Sequence, residues 1–524
     1  MTNKPADILF QLIHSLEKAE KRHFKLYIKR SSSNENLKIV QLFDAIDKLK
    51  TYNENELLKK LPGTQKGQLH NLKKHLYKQI LSSLRLLKST DSVDLQLNEL
   101  FDHAHILYKK GLFYQSLRIL EKAKETARAH QKLYFLSLVL GLEKRIQSQH
   151  ITKQLTERAA VLSDESVQVS QKIDLITRLS NLALQLYSWH VQHGPVCTPA
   201  DEKKLDELMQ QHHTESVNST AGFYEQLYLF QSYTWYALLR LDFLKCYRNA
   251  QNWVQLFHQN PYMKRVETSH YIKGLHYLMT AHFELQHYRP FMETLVELEA
   301  FAQTPRVQEN DNFRVQSMIY LAQARMNLHF MQGTFRQGLA LVHEVEEQLK
   351  ENALFIDQHR VLVLTYKMGL FYFACGEWGT SIDYAQKIIN DAIDLRSDLQ
   401  GHARLLHLLA HYESGNVDLM EYLAKSAQRF ISKNRNLSNL ERELLRLLSA
   451  APTLTKAAMR QRLATLYDMN KKVVNTGTAR ATSDTYLLLW IESKVEHQTI
   501  AETIQKHFST RSVVRQTTKG KINI

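Results

Sequence analysis

Residues 367–388, KMGLFYFACGEWGTSIDYAQKI, constrain the fold more than any other stretch of the chain. A small residue, Gly369, is followed three positions later by an aromatic, Tyr372. Four further on comes Gly376, two further the aromatic Trp378, and three further the small Ser381, with Ala385 and Ile388 continuing at helical spacing. Small residues let two antiparallel helices approach closely, glycine permits the turn between them, and bulky side chains fill the groove between one hairpin and the next. The stretch predicts a helical hairpin that buries its face against a neighbouring hairpin.

This pattern resembles the tetratricopeptide consensus. Weaker copies follow in LYKKGLFYQSLRILEKAKE (107–125), with Gly111, Phe113, Ser116 and Ala123, and in NLHFMQGTFRQGLALVHEV (327–345), with Gly333, Phe335 and Gly338. LLAHYESGNVDLMEYLAKSA (408–427) adds Gly415 and Ala424, and degenerate copies centre on Phe243 and Tyr288. The turn positions Leu241, Gln286, Gly333, Gly376 and Gly415 are spaced by 45, 47, 43 and 39 residues. That is longer than the ~34 of the family, and the period suits other helical solenoids equally well. The resemblance implies an all-α fold, a TPR-like right-handed α-solenoid of helical hairpins over residues 95–451. Arrays of this family usually serve as interaction modules.

Composition agrees with an all-helical chain. Only 8 Pro and 16 Gly occur in 524 residues, with 44% apolar and 23% charged side chains. No Walker, dinucleotide-binding, zincin or CxxC motif and no nucleophile elbow is present, so the expectation is a non-enzymatic protein without cofactor or metal. Among the 25 histidines, His407 and His411 sit one helical turn apart and could share a metal, as could His270 with nearby groups, but a metal site needs three or four ligands and an orienting shell. Cys197, Cys246 and Cys375 suggest no disulfide framework. The dense aromatics Tyr224, Tyr228, Tyr233, Trp235 and Tyr236 read as packing between helices. Neither a signal peptide nor an 18-residue apolar run is visible, which sets a cytoplasmic expectation with no membrane partner.

The formal charge of +15 is uneven. Residues 1–90 carry 18 Lys and Arg against 8 Asp and Glu, residues 452–524 carry 12 against 5, and the middle carries 38 against 40. Residues 1–90 form a basic N-terminal helical module. Apolar spacing predicts one helix over 7–30, then helices at 37–49, within ENELLKKL, and at 69–87. Lys18, Lys21, Arg22, Lys25 and Lys29 fall on the wet face of the first, facing any anion. The segment 54–81 resembles the two-helix core of a helix-turn-helix. That likeness offers Gln65, Lys66, Gln68, His70, Asn71, Lys73 and Lys74 as nucleic-acid contacts, lysines on phosphate and amides on base edges. Residues 452–524 form a C-terminal basic helical segment or cap, with helices at 454–470 and 484–508 and a frayed tail, RSVVRQTTKGKINI.

Two functional readings follow. In the first, the array is a scaffold that binds a protein or peptide partner. In the second, it is the sensor or interaction domain of a nucleic-acid-linked regulator, with the basic N-terminal module as the binder.

Overall fold

The structure is a computed structural model that describes residues 7–30, 34–61, 65–88, 92–150, 155–196, 198–212, 221–353, 355–391, 395–475 and 482–519. Among these residues the regular elements are all helices and no strand occurs. The chain divides into two compact units, Met1–Ile173 and Asp174–Ile524.

The first unit opens with α1 (Ile8–Ser15), α2 (Lys18–Lys29), α3 (Asn34–Asp47), α4 (Glu54–Lys60) and α5 (Lys66–Leu87). The single helix expected over 7–30 is two. Leu16 leaves the helical region, and Glu17 and Glu20 form a capping box in which the Glu17 N–H donates to Glu20 Oε2 at 2.9 Å. That box satisfies N-terminal donors that a continuous helix would have bonded internally, and apolar spacing alone cannot reveal it. The five helices enclose one core of Ile13, Phe24, Ile28, Ile39, Leu42, Phe43, Leu69, Leu76 and Ile80. The unit continues with α6 (Val93–Lys109), α7 (Phe113–Ala129), α8 (Leu133–His150) and the first part of α9 (Leu155–His193). These pack around Leu97, Leu120, Ala123, Leu140, Ile146 and Leu162. Here Lys124 and Glu143 are almost wholly buried and pair at 2.8 Å, with Arg158 on the same carboxylate.

The second unit takes the rest of α9 and then α10 (Pro199–Gln211), α11 (Phe223–Leu239), α12 (Phe243–Gln259), α13 (Met263–Val266), α14 (Thr268–Glu284), α15 (Tyr288–Ala302) and α16 (Pro305–Gln308). It continues with α17 (Asp311–Gln332), α18 (Leu339–Glu351), α19 (Gln358–Cys375), α20 (Trp378–Asn390), α21 (Ser397–Glu413), α22 (Met420–Asn434) and α23 (Asn439–Ser449). Consecutive helices pack on one another: α11 on α12, α14 on α15, α17 on α18, α19 on α20, α21 on α22.

One turn geometry recurs. Gly111, Leu241, Gln286, Gly333, Gly376 and Gly415 each have positive φ, and the next residue's N–H closes back on the carbonyl five before it. Examples are Asp242 to Ala237 at 2.9 Å, His287 to His282 at 2.8 Å and Glu377 to Tyr372 at 2.9 Å. This six-to-one closure with a left-handed residue is how a helix end satisfies its last carbonyls. A second feature recurs at the same offset from the turn. Ser116 Oγ donates to the Ala104 carbonyl at 2.8 Å, and Ser381 Oγ to the Gly369 carbonyl at 3.0 Å, both buried. A Cβ on Gly369 would stand 3.2 Å from Tyr384 Cβ, so the small residue lets α19 and α20 touch. Tyr372 stacks on Tyr384, Trp378 lies edge-on to Phe373, Phe335 meets both Phe330 and Phe371 edge to face, and Phe113 packs beside Tyr108. Ala385 is fully buried.

After Ala451 come α24 (Lys456–Asn475), α25 (Thr482–Glu496) and α26 (Ile500–Lys519). The single helix expected over 484–508 is broken at His497, which takes positive φ, and Thr499 and Glu502 cap the next helix reciprocally. The tail expected to fray is helical as far as Lys519. Helix α26 lies across the hairpin turns. Gln505 donates to the Gly333 carbonyl at 3.0 Å, Arg511 to Gln286 Oε1 at 2.8 Å, and Phe508 packs on Tyr288. A Cβ on Gly333 would lie 2.6 Å from the Ala501 carbonyl oxygen, so that turn is glycine for two reasons.

Candidate functional site

Helices α14, α17 and α19 each carry polar residues at helical spacing along one face: His276, Thr280 and Glu284; Tyr320, Gln323 and Asn327; Arg360 and Lys367, with Val363 between them. Residues three, four and seven apart share a helix face. The three stripes converge on one cavity of about 250 Å³ in the second unit, which is also lined by His190 of α9, Asp398 and His402 of α21, and Tyr486 of α25.

Aromatic rings form much of the wall. His276 stacks on Tyr320 at 3.9 Å with the planes 7° apart, and Tyr277 packs on Trp235, which meets Tyr187 on its other side. Arg360 lies over the Tyr320 ring and is held by Asp357 at 3.2 Å. Lys367 donates to Asn327 Oδ1 at 2.6 Å and lies 5.6 Å from the Phe283 ring centre and 5.5 Å from that of Phe330. Burial pulls its ammonium down to about 8. Arg396 grips Asp398 through two hydrogen bonds of 2.7 Å, shares a third contact with His359 Nε2 at 3.1 Å, and donates its backbone N–H to the Val191 carbonyl. Burial opposes the charge on Asp398, but Arg396 prevails and keeps the carboxyl well below the usual carboxylate range. The cavity histidines are held neutral by burial: His276 falls to about 3, His359 and His402 to about 4, and His190 well below its ordinary value. The Nδ1 atoms of His190 and His359 are buried with no hydrogen-bond partner among the described residues.

The residues picked out from sequence as anion-facing are divided by the fold. Lys21 pairs with Asp47 and Lys25 with Asp44, each at 2.7 Å, while Lys18, Arg22 and Lys29 are exposed. Among the residues offered to nucleic acid, Lys73 is turned inward to Asp7 and Tyr52, and Gln68 accepts from the Gln65 N–H as a capping partner. Lys66, His70, Asn71 and Lys74 are exposed on α5, with Lys66 3.5 Å from Glu54. Part of the expected loop of 62–67, residues 62–64, lies outside the described residues, and α5 begins at Lys66.

His407 and His411 meet edge to face at 4.5 Å, and His411 is bonded by Asn416. No group of three or more His, Cys, Asp or Glu is arranged for a metal among the described residues. Cys246 is buried and its thiol pushed up to about 12, Cys375 to about 11, and Cys197 lies outside the described residues. No helix is long and apolar enough to cross a membrane among the described residues.

The cavity was missed in the sequence because each stripe is only two or three polar residues per helix, and their convergence is a tertiary fact. No family model matches the sequence, and no curated protein matches it.

Proposed function

We propose that the protein is a non-enzymatic helical-repeat binding protein, a TPR-like right-handed α-solenoid whose array holds a protein or peptide partner. The recurring left-handed turn and the matched Ser116 and Ser381 contacts support the repeat reading. The observation that carries the binding reading is the cavity to which the first helices of successive hairpins contribute one polar and aromatic surface. Binding sites are commonly concave, with a few convergent polar groups among aromatic walls. Thr280 lines the cavity and, among the described residues, its hydroxyl bonds its own helix, donating to the His276 carbonyl. A Thr280→Phe variant therefore fills the cavity without removing a tertiary hydrogen bond. Affinity capture with wild type and variant as bait, matched for far-UV circular dichroism, should retain a partner on wild type and lose it at least about tenfold on the variant. The same proteins in the same amounts on both baits would sink the reading.

The nucleic-acid-linked regulator is the second reading, favoured by one observation. Helix α5 contains no Asp or Glu over its 22 residues and exposes Lys66, His70, Lys74 and Lys78 at four-residue spacing. Such a face suits phosphate, and its affinity should fall steeply with salt. Retention of the full chain on duplex DNA at low salt, lost at moderate salt and in a Lys74→Glu/Lys78→Glu variant, is the expected result. No retention at low salt contradicts it.

A further inference from the structure

We infer that the cavity of the second unit seats a small organic acid, its anionic group on the Lys367 ammonium beside Asn327 and its flat body among the aromatic rings. The inference rests on the reading of this cavity as a binding site and adds the chemistry of its occupant.

The charge balance of the lining leads to an anion. Arg396 is neutralised by Asp398 through paired hydrogen bonds, and Arg360 by Asp357. Lys367 has no carboxylate at ion-pair distance among the described residues: its ammonium meets the neutral Asn327 oxygen, and the Glu284 carboxylate, which also lines the cavity, acts on it from further away. An ammonium carries three donors, and here one acceptor is supplied. A buried charge whose counter-charge stands off is costly unless something comes into contact with it. A carboxylate would fill both remaining donors with charge-assisted hydrogen bonds. Arg360 stands seven residues earlier on the same face of α19, about 10 Å along the axis, and its charge is already met by Asp357, which leaves the Lys367 ammonium to receive an incoming anion. The surrounding histidines are neutral and add no competing cation at ordinary pH.

Shape leads to a flat and small body. The cavity of about 250 Å³ falls just under the ~300–1,000 Å³ that accommodates drug-sized ligands, which sets a compact body for the group that enters it. Tyr277, Tyr320, Phe283 and Tyr366 present ring faces and edges to it. An apolar void of about 40 Å³, walled by Phe330, Phe335 and Leu406, shares Tyr366, Leu370 and Tyr486 with the cavity. A polar end near Lys367 and an apolar end towards this void match a molecule with an acid group on a ring.

The test is thermal unfolding of the full-length protein with 1-naphthoate, its neutral isostere 1-naphthamide, the cation 1-naphthylmethylamine, and inorganic phosphate. The expected result is a rise in Tm with naphthoate at concentrations at least about tenfold lower than with the amide, and no rise with the amine or phosphate. Lys367→Arg should keep the preference for naphthoate over naphthamide, and Lys367→Met should abolish it. The wild-type comparison stands even if Lys367→Met fails to fold. Equal shifts with all three aromatic probes would overturn the acid inference and leave the cavity a binding site. A shift with phosphate equal to that with naphthoate would overturn the organic body and leave a bare anion site. No shift with any probe overturns the inference. In that event, loss of partner capture by Thr280→Phe would leave the binding reading standing, and unchanged capture would remove both.

Discussion

Replacing Arg396 with alanine should destabilise the second unit by about 3–5 kcal/mol, the usual cost of stripping one partner from a buried ion pair. Asp398 is 7% exposed and Arg396 12%, and both carboxylate oxygens are bonded to the guanidinium. Without Arg396 the carboxylate stays in place with its charge uncompensated. It has little room to turn away, because it lies against Gly194, where even a Cβ would come within 2.4 Å of it. The loss also removes the side-chain contact to His359, whereas the backbone N–H of residue 396 still bonds the Val191 carbonyl. The chain has five tryptophans, Trp189, Trp235, Trp253, Trp378 and Trp490, all in the second unit, so their fluorescence in urea reports that unit alone. The double variant Arg396→Met/Asp398→Leu removes both charges and should recover much of the loss. If the single variant is no less stable than the double, the buried-charge account is wrong.

Acid should unfold the same unit well before its carboxylates are protonated. His276 is pulled to about 3 and His282, His359, His402 and His407 to about 4, in each case chiefly by burial. In the unfolded chain a histidine titrates near 6.5. Between the two values the unfolded state binds more protons, so stability is present above about pH 6.5 and is lost as pH falls towards 4. Each histidine contributes about 1.4 kcal/mol per pH unit within that window. Several acting together reach the order of an ordinary domain's whole stability by about pH 5. Lys367 has the same sign in a higher window: the cost of its buried charge is relieved as pH rises above about 8. The urea midpoint by tryptophan fluorescence should therefore drop sharply from pH 7.5 to 5.5, and His402→Gln should flatten the slope by about one proton. A midpoint unchanged over that range would refute the neutral-histidine core.

What could be read from the sequence was local. Gly376 and Ser381 announce their hairpin because the turn and the close helix contact depend on residues within one short stretch. Leu241 and Gln286 are legible as turns from the aromatics Phe243 and Tyr288 two positions on, although neither is a glycine, and both take positive φ. The breaks at Glu17 and His497 leave no mark in the apolar spacing, since a capping box inside a periodic apolar pattern leaves the pattern intact. Charge was legible as a sum and not as an arrangement. Lys21, Lys25 and Lys73 look like an anion-binding surface until the fold brings Asp47, Asp44 and Asp7 to them. The cavity depends on Asn327 meeting Lys367 from another helix, a contact 40 residues distant in sequence.

The placement of α26 has a kinetic meaning. A stack of hairpins in which each touches only its neighbours can grow or fray from either end. Here Gln505 reaches back 172 residues to Gly333 and Arg511 reaches 225 to Gln286. These late-synthesised contacts form only after much of the unit is in place, and loops of that length slow the search for them. The second unit should therefore fold cooperatively and late, completing its structure only when its last helix has been made.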